Sequence, residues 1–132
     1  MQRFPYTEIV MVLALLVYVV FSFKVGGARA KYQVPAPATD GPPEFQRIFR
    51  VHMNTLEQLV WFLPSLWLFA TAWGDLPAAI VGLFWPIGRI LFARGYYAAA
   101  EKRSLGFGIS FFSSAILLLG GLIGIVRNML GF

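Results

Sequence analysis

The sequence predicts an all-α integral membrane protein, a bundle of four transmembrane helices, on three observations. Of 132 residues, 58% are hydrophobic and 13% charged, with a mean hydropathy of +0.70. That is more apolar surface than one small soluble core can bury, so lipid must cover the rest. Three stretches, Thr7–Val25, Leu76–Tyr97 and Leu105–Val126, each reach the roughly 20 residues that cross a bilayer core of about 30 Å. A fourth, Glu44–Ala72, is polar in its first half and apolar from Leu59 onward.

Helix one is expected over about 6–25. Glu8 at its start, the basic Lys24, Arg29 and Lys31 after it, and its length all argue for a retained helix rather than a signal peptide. A long ordered loop is expected over 26–42, because four prolines within Pro35–Pro43 forbid regular helix there. Helix two is expected over 43–72, starting at Pro42-Pro43-Glu44, since proline suits a first turn and a carboxylate suits the helix dipole. At about 1.5 Å per residue it would be roughly 43 Å long, so its first turns should stand in the headgroup zone. Helix three is expected over 76–103 and helix four over 105–128, with "TAWGDLPA" and "AAEKRSLG" as the intervening turns. Pro64 and Pro86 should kink helices two and three. Residues 1–132 thus form one membrane domain. The glycines and serines of helix four fit either close packing in an oligomer or a lipid-facing surface.

The net charge of +5 does not point to nucleic acid, because the basic residues punctuate helix ends instead of forming a patch. Lys24, Arg29, Lys31, Arg47, Arg50, Arg94, Lys102 and Arg103 fall in or beside two loops, which the positive-inside rule places in the cytoplasm with both termini outside. There is no cysteine for a disulfide, a thiolate ligand or a nucleophile. His52 has no companion at metal-ligand spacing, so no metal is expected.

Two polar stripes remain. Taking Arg47 as zero on a helical wheel, Arg50, Asn54, Glu57, Gln58 and Trp61 fall within an arc of about 100°, with His52 almost opposite at about 140°. In helix three Arg89, Phe92 and Tyr96 share a face, joined by Arg103 if the helix persists that far, while Arg94 points toward headgroups. Ionisable groups at the edge of a membrane core are costly unless partnered. Glu57 could pair with Arg50 or Asn54 simply to knit the bundle. Against that, the cations outnumber the acids on this side, which implies an anionic ligand. A small peptide with carboxylates and an amine suits the set: arginine forks for carboxylates, Glu57 for an ammonium, Asn54 and Tyr96 for hydrogen bonds. Trp61 and Phe62 would wall the site toward lipid.

These residues resemble the MAPEG family, and within it the branch of microsomal glutathione transferase 2 and leukotriene C4 synthase. The resemblance lies in "GPPEFQRIFRVHMNTLE", with its R-x-x-x-N-x-x-E pattern of Arg50, Asn54 and Glu57, and in "RILFARGYYAAAEKR". It implies that Arg50, Asn54 and Glu57 hold bent glutathione, with Tyr96 supporting it. Arg29 matches a glutathione-contacting arginine, Arg89 a supporting or substrate-proximal one, and Arg103 the arginine that stabilises the glutathione thiolate. His52, Gln58 and Phe92 stand where that branch has glutamine, tyrosine and tyrosine, so individual polar contacts differ. The His52 position reaches a neighbouring subunit's glutathione in that family, which implies a homotrimer with sites between subunits.

The expected function is a membrane glutathione transferase or peroxidase. Glutathione is the co-substrate, the partner substrate is a hydrophobic electrophile or lipid hydroperoxide, and no metal takes part. The alternative is a lipid-binding scaffold similar to the five-lipoxygenase-activating protein, which has no need of Arg103. A transporter would need charges at mid-membrane, whereas these are read as lying at one end. The expected location is the bacterial inner membrane, or the endoplasmic reticulum in a eukaryote, with the site loops cytoplasmic.

Overall fold

In a computed structural model, which describes residues 2–132, the chain forms α1 (Pro5–Tyr32), α2 (Pro43–Trp73), α3 (Asp75–Ala98) and α4 (Ser104–Met129). A 3-10 turn, Ala100–Arg103, joins the last two. α2 and α3 are the central pair, and both α1 and α4 pack against them. α1, α3 and the Ala100–Met129 stretch are long and apolar enough to cross a membrane. α2 is too polar in its first half to qualify by composition, yet its buried face runs from Phe45 to Ala70 and so follows the bundle over nearly its whole length.

α1 runs seven residues beyond the expected end at residue 25, through Gly26 and Gly27. Two glycines inside a helix cost about 1 kcal/mol each relative to alanine, which the helix-favouring Ala28-Arg29-Ala30-Lys31 and a packed end outweigh. The stop comes at Gln33, which takes left-handed dihedrals (φ 55°, ψ 47°) and donates its N–H to Arg29 O, two residues before Pro35. α3 is shorter than expected. Ala99 is extended (φ −165°, ψ 143°), so Arg103 is placed by the 3-10 turn and not by the face of α3. α2 and α3 continue as helix through Pro64 and Pro86.

Around an apolar core that includes Phe45, Phe62, Trp85 and Phe92, the interior also holds a set of mostly small polar residues. Thr7, Thr55, Ser65, Ser110, Ser113, Ser114 and Arg89 are buried, while large aliphatic side chains along α1, α3 and α4 face outward. Lipid is as apolar as leucine, so inter-helix attraction must come from close backbone approach and hydrogen bonds. The α3–α4 crossing shows this: a Cβ on Gly106 would collide with the Phe92 backbone, and Ser113 Oγ donates to Val81 O at 2.8 Å. Gly120, Gly121 and Gly124 press on Phe69, Leu68 and Ala72 of α2, and Trp73 Nε1 donates to Gly120 O at 2.8 Å. Most glycines of α4 therefore serve packing within the chain, a use that neither sequence-based reading of them considered.

At the far end, Gly74 turns the chain with φ +99° and Asp75 opens α3. The Asp75 carboxylate accepts the N–H groups of Tyr6 (3.0 Å) and Thr7 (2.7 Å), and Thr7 Oγ1 donates to Asp75 O at 3.2 Å. One acid thus satisfies the free amides at the start of α1 and ties it to α3.

Candidate functional site

Where α2, α3 and the start of α4 meet at the basic end, they enclose a cleft of about 510 Å³. Arg50 and Asn54 line it from α2, Phe92 and Tyr96 from α3, and Arg103, Ser104 and Phe107 from the 3-10 turn and α4. The i, i+4 spacings of Arg50/Asn54 and Phe92/Tyr96 put each pair on one helix face. The 3-10 turn then brings Arg103 over the Tyr96 ring, 5.6 Å from its centroid, with Nη1 donating to Ala100 O at 2.7 Å.

Behind the cleft lies Arg89, fully buried. Its Nη2 donates to Asn54 Oδ1 (2.8 Å) and Thr55 Oγ1 (3.1 Å), its Nη1 donates to Ser110 Oγ (3.3 Å), and its guanidinium stacks 4.0 Å from the Phe92 centroid. No carboxylate touches it among the described residues; neutral oxygens and ring faces hold the charge. Arg89 sits nine residues before the end of α3, about 14 Å deep at 1.5 Å per residue, so the cations are not all at one end as expected. The bundle closes around it.

Asn54 is the relay between this buried charge and the cleft. Its Oδ1 is held by Arg89, which leaves Nδ2 to donate, at a long 3.5 Å, to Glu57 Oε2. Glu57 also faces Arg50 Nη1 at 3.9 Å, with both side chains about half exposed (53% and 48%). An exposed pair at that distance contributes less than about 1 kcal/mol, so either partner is free to exchange it for a ligand charge. The knitting role considered for Glu57 is therefore weak.

Three residues expected at the site lie elsewhere in the isolated chain. Arg29 donates to Val34 O (3.3 Å) and Ala38 O (2.6 Å) and stands over Phe45 and Phe49, holding the first loop on α2. His52 stacks on Tyr18 of α1, centroids 5.1 Å apart. Gln58 Oε1 accepts from Trp61 Nε1 at 3.0 Å, and Trp61 turns its edge to Phe111 of α4 at 5.4 Å. Phe62 is not a wall toward lipid: it is fully buried and stacked on Trp85 at 4.6 Å. Arg94 is exposed, as expected of a headgroup anchor.

Thr55, Ser104, Phe107 and Ser110 were missed. The signal for Thr55 and Ser110 was present, since a buried arginine in an apolar helix demands neutral oxygen acceptors from its neighbours. A second, almost wholly apolar groove of about 550 Å³ runs between α3 and α4, lined among others by Val81, Phe84, Leu105, Gly108, Phe112 and Ile116. It meets the polar cleft at Ser104, which lines both.

Residues 7–123, nearly all of the bundle and every residue of the cleft, match the model of the MAPEG family. The chain belongs to the MAPEG family. It is similar to uncharacterized protein sll1147 of Synechocystis sp., 52% identical over 117 residues that cover 89% of this chain and 85% of that one. It is 40% identical to microsomal glutathione S-transferase 2 of Homo sapiens over 110 residues, 83% of this chain and 75% of the relative. Leukotriene C4 synthase of Rattus norvegicus is 37% identical over 94 residues, 71% of this chain and 63% of that enzyme. The most similar of these three carries no assigned activity, so what this MAPEG chain does must be argued from its own cleft.

Proposed function

We propose that the protein is a membrane glutathione transferase: it holds glutathione in the polar cleft, stabilises its thiolate with Arg103 and delivers it to a lipophilic electrophile or lipid hydroperoxide. The carrying observation is the convergence of Arg50, Asn54, Tyr96 and Arg103 on one cleft of about 510 Å³ that shares its lining residue Ser104 with an apolar groove. The names of the human and rat relatives support the same chemistry.

In this reading Arg50 takes a peptide carboxylate, Glu57 takes the ammonium released from its weak pairing, and Asn54, oriented by Arg89, bonds the peptide backbone. Tyr96 adds a hydroxyl and carries Arg103 on its ring face. Arg103 stands beside the sulfur. A thiol with a pKa of about 8.5 is only a few per cent ionised at neutral pH, and lowering it by about two units, roughly 2.7 kcal/mol of electrostatic stabilisation, makes the thiolate dominant. The thiolate attacks an electrophilic carbon, forming a carbon–sulfur bond as the leaving group departs with its electron pair, chloride in the case of chlorodinitrobenzene. With a hydroperoxide it attacks the terminal oxygen, releasing the alcohol as the O–O bond breaks, and a second glutathione resolves the sulfenic acid to the disulfide and water.

Arg103 is exposed in the single chain, where water would weaken its hold on a thiolate. Completion of the cleft by neighbouring copies in a homotrimer would dry it. It would also give His52 a glutathione to reach, that of the adjacent subunit. The basic loops and the cleft face the cytoplasm in this arrangement.

The test is turnover of glutathione with chlorodinitrobenzene or a lipid hydroperoxide by the purified protein in detergent, wild type against Arg103→Ala. A drop of about 25-fold in kcat at neutral pH is expected, the fall in thiolate fraction from about three quarters to about 3% when the pKa returns from about 6.5 to about 8.5. The sign in pH follows: a thiol returned to its free pKa gives a variant whose rate keeps rising up to about pH 8.5, where the wild type has already levelled. Undiminished turnover in Arg103→Ala removes the thiolate role, and absence of glutathione binding at millimolar concentration favours a lipid-binding scaffold instead.

A further inference from the structure

Beside the polar cleft lies a second compartment of about 400 Å³. It shares Arg50 and Tyr96 with the first and is completed by Gly41, Pro43, Gln46, Arg47 and Ala100. Its walls hold themselves in place. Gln46 Nε2 is fixed by Thr39 O (2.9 Å) and Asp40 Oδ1 (3.3 Å), and Arg47 Nε donates to Tyr97 O at 3.3 Å, bracing the end of α3. That bond engages Nε alone. The two terminal nitrogens of Arg47 have no hydrogen bond or ion pair among the described residues, and no acid lines either compartment.

Arg47 and Arg50 are one turn apart on the same face of α2, about 4.5 Å along the axis. Glu57 lies on the other side of Arg50, about 10 Å further along. Along the helix axis Glu57, which faces Arg50 Nη1 at 3.9 Å, thus stands toward one end of the polar track, and Arg47, whose terminal nitrogens have no partner among the described residues, at the other. An ammonium goes to the first and a carboxylate with no ammonium beside it to the second. In glutathione those are the γ-glutamyl end, where amine and carboxylate share one carbon, and the glycyl carboxylate.

Given glutathione in the cleft as set out above, we propose that Arg47 is a further ligand-binding residue: the glycyl carboxylate lies in the second compartment, between Arg47 and Arg50. The peptide runs along α2 with its γ-glutamyl end at Asn54 and Glu57 and its thiol turned to Arg103. Arg47 sets specificity for a thiol peptide that ends in a free carboxylate.

The experiment pairs residue with ligand. KM and kcat are measured for glutathione and for its glycyl monoethyl ester, with chlorodinitrobenzene, in wild type, Arg47→Gln and Arg47→Lys. Arg47→Gln should raise KM for glutathione about tenfold with kcat unchanged, the worth of one charge-assisted contact at a half-open site. The wild type should show a similar rise with the ester, and Arg47→Gln should raise KM for the ester less than about twofold further, since the contact is already absent. Arg47→Lys should recover part of the glutathione affinity. Equal losses with both thiols would mean that Arg47 only braces α3, and an unchanged KM for glutathione would place the carboxylate elsewhere. Either overturns the assignment while leaving the transferase standing. A wild type that binds neither thiol overturns both.

Discussion

Arg89 carries its charge into the bundle without an acidic partner, and the manner of its solvation predicts what losing it does. Thr55 and Ser110 would not be orphaned by its removal, because each hydroxyl already donates within its own helix, to Val51 O (2.7 Å) and Phe107 O (3.1 Å). Only Asn54 Oδ1 is left without a hydrogen bond, and Asn54 borders the open cleft. Replacing a buried cation by an apolar side chain of similar length is often neutral or stabilising, whereas removing a partner from around it is not. Arg89→Met should therefore change stability by less than about 1 kcal/mol, read as the melting temperature in detergent. It should nevertheless raise KM for glutathione about tenfold as Asn54 loses its orientation. A large fall in melting temperature with KM intact would assign Arg89 to the fold alone. The stripe of Arg89, Phe92 and Tyr96 was legible from a period of 3.6; the Arg89–Asn54 bond was not, because it joins two helices whose relative rotation no single helix specifies.

At the scale of elements, ends mattered more than middles. Composition and spacing placed the four helices, but the stop of α1 depended on Gln33 adopting a left-handed turn and that of α3 on an extended Ala99, single-residue choices set by packing. The consequence is functional, since the 3-10 turn after Ala99 decides where Arg103 sits. Asp75 gives the complementary lesson at the far end. In the sequence it reads as the lone charge of a short turn; in the fold it caps α1 from α3. Asp75→Ala should lower the melting temperature, as loss of an N-terminal cap does, while leaving KM for glutathione unchanged. Altered glutathione affinity would mean that the two ends of the bundle are coupled.

For the whole molecule, the arrangement is a polar cleft at one end, an apolar groove leading away from it, and small residues holding four helices close enough to form both. Gly108 lines the groove and has nothing within 4 Å of where a Cβ would stand. Gly108→Phe should thus fold and fill the groove. It should lower kcat/KM for a long-chain lipid hydroperoxide about tenfold, the loss of roughly two buried methylenes at about 0.8 kcal/mol each, and spare chlorodinitrobenzene. Equal effects on both substrates would show that the acyl chain lies elsewhere. The sequence by itself determined the membrane setting, the helix count, the basic end and the polar stripe of Arg50, Asn54 and Glu57 on one helix, because hydropathy and helical period are local properties of a chain. Only the tertiary structure decided which of those residues share a cleft, that Arg89 stands behind Asn54, that Phe62 belongs to the core and that Arg47 faces a compartment of its own. Those outcomes depend on how helices rotate and approach one another, and the rotation is fixed by contacts between residues far apart in sequence, such as Gly106 against Phe92 and Gly120 against Phe69.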